Sequence, residues 1–143
     1  IKNCLKAMEL LEKSFELKKV SNFYETEPIP KSNQAMYVNG VVSVETNFLP
    51  KKILSELMNI EKIFKRVRHL KNESRVIDLD LLCYNEIILK DKHLQLPHPR
   101  MHLRRFVMQP LCDINKEWVH PLLKEKAKNI LKKLANQKIY NIN

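Results

Sequence analysis

Apolar residues recur at helical spacing from the first positions of the chain: Leu5, Met8, Leu11 and Phe15 predict an amphipathic helix from Lys2 to about Leu17. Val20 to Thr26 then reads as a strand, and Tyr37 to Thr46, rich in valine, as a second. Between them Pro28 and Pro30, with Ser32 and Asn33, make a loop that cannot pair regularly. The two strands are expected to pair antiparallel. Pro50 stands where a helix begins, and Ile53, Leu54, Leu57, Ile60, Ile63 and Phe64 continue its apolar face. After a basic loop, Val76 to Cys83 alternates as a third strand, Tyr84-Asn85 is a turn, and Ile87 to Leu89 a short returning strand. Pro97-His98-Pro99 breaks the chain; Phe106 to Leu111 predicts a short helix, and Leu123 to Leu134 a last one with Ile130, Leu131 and Leu134 inward. No internal repeat or low-complexity tract interrupts this order.

The third strand carries the chemistry. In Arg75-Val-Ile-Asp78-Leu-Asp80-Leu-Leu, period two sends Ile77, Leu79 and Leu81 to one face and both carboxylates to the other, about 7 Å apart. Like charges held that close disfavour the ionised pair unless a cation lies between them. A hard divalent ion suits: magnesium accepts one or two protein carboxylates and completes its shell with water and phosphate oxygens. Lys65, Arg66, Arg68, Lys71 and Arg75 just upstream could hold the remaining phosphate charge. An isolated D-x-D is more often a surface strand paired with lysines; the dense arginines tip the balance toward a site.

Composition narrows the classes. At 143 residues and 44% hydrophobic content, one soluble domain over 1–143 can bury its own core. Apolar runs are too short to span a bilayer and no leader is evident, which predicts a cytoplasmic protein without a membrane partner. Cys4, Cys83 and Cys112 are odd in number and lack C-x-x-C spacing, so they read as buried thiols rather than disulfides or zinc ligands. The net charge of +10 fits nucleic acid, a small polyanion or a lysine-rich surface. Lysines are spread everywhere, whereas arginines cluster near 66–75 and 100–105. With Gly40 the only glycine, neither glycine-rich phosphate motif can exist, so any nucleotide is gripped by side chains and metal.

Taken together, Tyr37-Val-Asn39-Gly, Ile60-Glu61 ahead of Arg66-Val-Arg68, the D-L-D-L-L run and Pro97-His98-Pro-Arg100-Met-His102-Leu-Arg104-Arg-Phe106-Val resemble the 6-hydroxymethyl-7,8-dihydropterin pyrophosphokinases, in family order from the first helix to about Ile114. The resemblance implies a ferredoxin-like α+β sandwich with an antiparallel sheet. It implies transfer of pyrophosphate from ATP to the pterin hydroxymethyl oxygen, with release of AMP, in folate synthesis. Asp78 and Asp80 would hold two magnesium ions. Arg66 and Arg75 would act on the transferring group, with Glu61, Arg68, His98 and Arg104 completing the ATP site. Thr26, Pro28, Ile29, Tyr37, Asn39 and Phe106 would form the pterin site. An amide offers donor and acceptor to the pterin edge, and an aromatic offers a stacking face. Association with other folate-pathway enzymes and absence of nucleic acid belong to the same picture.

The chain departs from the family at several points. Residues 69–74 lack the R-W-G-P stretch of many members, Met58 replaces a polar residue, and His93 stands where arginine is frequent. The predicted order α-β-β-α-β is one strand short of β-α-β-β-α-β; with a helix opening at Lys2, the N-terminal strand and its G-S-N segment are expected to be missing from this sequence. Two other readings compete: a basic ferredoxin-like module that binds RNA on its sheet, and a degenerate non-catalytic relative. The acids on the would-be RNA face and the want of an aromatic-rich R-G-F-type run weigh against the module.

Overall fold

Two helices share the first apolar cluster. In the computed structural model, which describes residues 1–27, 36–66 and 77–143, helix α1 (Lys2–Glu12) buries Ala7, Leu10 and Leu11, and α2 (Pro50–Arg66) buries Ile53, Leu57, Ile60 and Phe64. That i, i+4, i+7, i+11 spacing is the stripe expected of α2, and each such side chain contributes about 1.5–3 kcal/mol on leaving water. Helix α1 stops five residues early. Phe15 is buried in the turn and Leu17 already pairs with Val44, so the β ladder takes residues whose spacing would have extended the helix.

The predicted strand over Tyr37–Thr46 is broken in two, and that over Val20–Thr26 forms at its C-terminal half, preceded by a separate strand that begins in residues expected to be helical. β1 (Glu16–Val20) pairs antiparallel with β4 (Val42–Glu45), and β2 (Tyr24–Thr26) with β3 (Tyr37–Asn39). The breaks fall opposite one another, at Ser21–Phe23 and Gly40–Val41. There Ser21 exchanges backbone and hydroxyl hydrogen bonds with Val41: its N–H donates to Val41 O and its Oγ accepts Val41 N–H, both at 2.9 Å. The antiparallel arrangement of helix and sheet is thus α+β, as expected. β2 also pairs on its other side with β7 (Tyr140–Asn141), a strand without a sequence signal.

Residues 77–83 depart from expectation more. They join no ladder among the described residues, although their side chains alternate: Asp78 and Asp80 are exposed, while Ile77, Leu79 and Leu81 pack on the first cluster. Burial of alternate side chains anchors the run on that cluster. The expected return at Ile87–Leu89 is instead a forward hairpin, β5 (Leu89–Lys90) with β6 (Gln95–Leu96). The turn before it is present, with Ile87 N–H donating to Tyr84 O and Asn85 at φ 50, where an asparagine is tolerated.

A second cluster joins α3 (Arg105–Asn115) to α4 (Ala127–Lys132) through Met101, Met108, Leu111, Ala127, Ile130 and Leu134. α3 outruns the predicted 106–111 at its C-terminal end. α4 is shorter than predicted, because Leu123 lies in an exposed turn closed by the Val119–Lys126 bridge. Leu82 packs on this second cluster, so the acid-bearing run spans both. The three cysteines are free and half-buried. No helix among the described residues is long and apolar enough to cross a membrane.

Candidate active site

One cavity, of about 2220 Å³, is lined by the 77–83 run, β3 and the start of α3, and extends along α1, β4 and residues 137–139. Asp78 and Asp80 line it from one side, exposed on the face that period two assigned them. The turn at His98 is tied to the same run by a hydrogen bond from His98 N–H to Leu82 O, 2.7 Å. This places the imidazole in the cavity within electrostatic reach of Asp80.

The tautomer of His98 is set locally. Its Nδ1 accepts the N–H of Arg100 at 3.1 Å, so the neutral ring carries its proton on Nε2 and donates from there. Burial lowers its pKa; Asp80 pulls the other way, while Arg104 and Arg100 add to the lowering. Near neutral pH His98 is a neutral donor.

Arg104 and Phe106 enter from the head of α3. The Arg104 guanidinium lies over the Phe106 ring, 5.5 Å from its centroid, within cation–π range. Both line the cavity and both are half-buried, so Phe106 is not simply helix core. The β2–β3 register sets Thr26 against Tyr37 and Tyr24 against Asn39. Tyr37 and Asn39 therefore share a face. Asn39 Nδ2 donates to Thr26 Oγ1 at 3.3 Å, which leaves the amide oxygen and a second N–H for other partners. Thr26 is buried and Tyr37 is 49% exposed, and both line the cavity.

The described side chains expected at the site thus meet at one cavity, apart from Glu61, which lies on α2 and does not line it. Its carboxylate is turned to the backbone of the acid run: Oε2 accepts Leu79 N–H at 2.9 Å. Arg68, Arg75, Pro28 and Ile29 lie outside the described residues, as does the side chain of Arg66. Sequence reasoning missed the parts played by backbone groups, namely Leu79 N–H, Leu82 O and Arg100 N–H, for which side-chain patterns offer no signal.

The residues fit a hard cation. Two carboxylates face one space, and among the described residues no group of three or more His, Cys, Asp or Glu forms a complete cage. Magnesium is bound that way, by few protein oxygens with the rest of its shell from water and phosphate. An acid pair, a neutral imidazole, a guanidinium, an amide and an aromatic ring line one space, the residue types that a phosphoryl-transfer site uses.

Comparison with known proteins makes the class specific. Residues 1–116 match the family model for 7,8-dihydro-6-hydroxymethylpterin-pyrophosphokinase. The chain is 36% identical over 124 residues to a 2-amino-4-hydroxy-6-hydroxymethyldihydropteridine pyrophosphokinase of Aquifex aeolicus, covering 87% of this chain and 78% of that protein. To the protein of the same name from Haemophilus influenzae it is 36% identical over 139 residues, 97% of this chain and 86% of the relative. A folic acid synthesis protein of Pneumocystis carinii is 38% identical over 123 residues, 85% of this chain but 17% of that protein. The chain belongs to the 7,8-dihydro-6-hydroxymethylpterin-pyrophosphokinase family.

Proposed function

We propose that this protein transfers pyrophosphate from ATP to the hydroxymethyl oxygen of 6-hydroxymethyl-7,8-dihydropterin, releasing AMP, by in-line attack on the β-phosphorus. The observation that carries the reading is the convergence of Asp78 and Asp80 with His98, Arg104, Phe106 and Asn39 on one cavity. Asp78 and Asp80 would hold two magnesium ions, which when bound supply neutralisation of the triphosphate charge. His98 donates from Nε2 to the nucleotide, and Arg104, seated on Phe106, stands between nucleotide and pterin. The free face of Phe106 stacks the pterin, and Asn39, held by Thr26, reads its polar edge, with Tyr37, Pro28 and Ile29 framing the pocket. Arg66, Arg68 and Arg75 close on the phosphates. Phosphoryl transfer asks little covalent help, so positioning and charge carry the catalysis.

The family membership and the mixed antiparallel architecture support a ferredoxin-like arrangement as one domain over 1–143. α4 packing on α3 and β7 pairing with β2 tie the C-terminal residues to the same body.

Titration calorimetry tests the function. With magnesium present the protein is expected to bind a non-hydrolysable ATP analogue, and only then the pterin. Asp80→Ala is expected to lose magnesium-dependent turnover and analogue binding together. Near-normal turnover in that variant, or salt-sensitive RNA binding without magnesium, overturns the reading.

A further inference from the structure

The acid run poses a mechanical problem. Two carboxylates that take a divalent ion must be held at a set spacing, yet residues 77–83 have no paired strand among the described residues to fix their backbone. Side chains at Ile77, Leu79 and Leu81 anchor one face in the first cluster. Leu82 O is fixed by His98 N–H. Neither contact acts on the peptide groups that join Asp78 to Asp80.

Glu61 does. It projects from α2, whose Ile60 and Phe64 are locked in the first cluster, and its Oε2 accepts Leu79 N–H at 2.9 Å. Leu79 lies between the two acids, so this bond orients the peptide plane next to Asp78 and thereby the direction in which both carboxylates leave the backbone. A side-chain oxygen carried on a packed helix gives that backbone N–H an acceptor in a fixed direction, and it is the acceptor, not its charge, that serves this purpose. Glu61 does not line the cavity. It stands behind the wall and not in it.

We propose that Glu61 is a positioning residue: through the Leu79 amide it holds Asp78 and Asp80 in the geometry that accepts magnesium with ATP, without touching the nucleotide. This rests on the reading of the cavity as a magnesium–ATP site. A carboxylate held behind the ligand set does for the acids what outer-shell partners do for metal-bound side chains, whose removal costs about 10–100-fold in metal affinity.

The distinction between a held backbone and a direct ligand is testable because glutamine keeps an acceptor oxygen and loses the charge. Amide exchange at Leu79, followed in the protein without metal or nucleotide, is expected to quicken about tenfold or more in Glu61→Ala and to stay near wild type in Glu61→Gln. Affinity for manganese with a non-hydrolysable ATP analogue is expected to fall about tenfold in Glu61→Ala and to change little in Glu61→Gln. Should truncation unfold α2, Glu61→Met, matched in length and without an acceptor, takes its place. Equal losses in the glutamine and alanine variants would mean that the charge itself contacts ion or nucleotide, and the proposal falls. It falls also if Leu79 exchange is unmoved by Glu61→Ala. A wild-type protein that binds no metal–nucleotide sinks the reading of the cavity, whereas normal wild-type binding with an unaffected alanine variant sinks only the role given to Glu61.

Discussion

Gly40→Ala sets two opposed effects against each other at the head of β4. The backbone there is not in the left-handed region, so nothing in its conformation demands glycine. At such a site alanine ordinarily stabilises by about 0.4–1 kcal/mol, by restricting the unfolded chain. Space reverses the sign. A Cβ at Gly40 would meet Cδ1 and Cε1 of Phe23 at 2.7 Å and Ser21 Oγ at 3.4 Å. The Phe23 ring is 7% exposed, and its backbone is pinned on both sides: its N–H donates to Asn143 Oδ1, and its carbonyl accepts Ile142 N–H. Ser21 is held by Val41. With neither neighbour free to yield, overpacking costs about 1–3 kcal/mol and outweighs the entropic gain, for a net loss of about 1–2 kcal/mol. Urea denaturation should show a lower midpoint at unchanged slope. In a Phe23→Leu background the same substitution should cost less by about 1 kcal/mol, since the clashing ring is gone. A Gly40→Ala protein at least as stable as wild type, or a strictly additive double variant, refutes the packing argument.

Two further outcomes follow from buried polar contacts. Tyr24 Oη donates to Asp113 Oδ2 at 2.6 Å, and burial, then Asp113, push the phenol up to about 12. Tyr24→Phe is expected to cost about 1–2 kcal/mol, because the carboxylate keeps access to water, and an unchanged denaturation midpoint counts against it. His120 is 2% exposed, and its Nδ1 accepts the N–H groups of Leu122 and Leu123. Burial, then His102 at 5.6 Å between ring centroids, lowers its pKa. Between the folded pKa and the ordinary value of about 6.5 the unfolded chain binds more protons, so stability is full above that value and lost as pH falls through the folded pKa. Thermal melts from pH 8 to pH 5 should show this decline in wild type and a shallower one in His120→Asn; identical slopes would remove His120 from the account.

How much of this was legible in the chain depends on what kind of fact is asked for. Period two in Ile77 to Leu81 reports which side chains are buried, and the acids do face away from the core. The same alternation is silent on whether a neighbouring backbone pairs with the run, and here none does among the described residues. Ile87 and Ile88 looked like a strand because they are apolar, yet they are exposed at 41% and 49%, and the ladder forms one step later at Leu89. Phe15 and Leu17 kept helical spacing after the helix had ended. β7 carried no pattern at all: Tyr140 and Asn141 are both exposed and belong to the sheet only through their backbone.

The same limit governs the site. Residue type and spacing brought Asp78 and Asp80 to attention and the family resemblance added His98, Arg104 and Asn39, and all of them line the cavity. The resemblance also nominated Glu61, and there it points to a carboxylate without reporting what the carboxylate serves. Its partner is Leu79 N–H, a group every residue but proline carries and no composition can flag. Where an acid-bearing run joins no ladder among the described residues, a helix packed behind it can restrain its backbone through one side chain. On the proposal made for Glu61, an acid one layer behind a ligand pair is easily counted as part of the site, and only the position of the amide it holds tells the two roles apart.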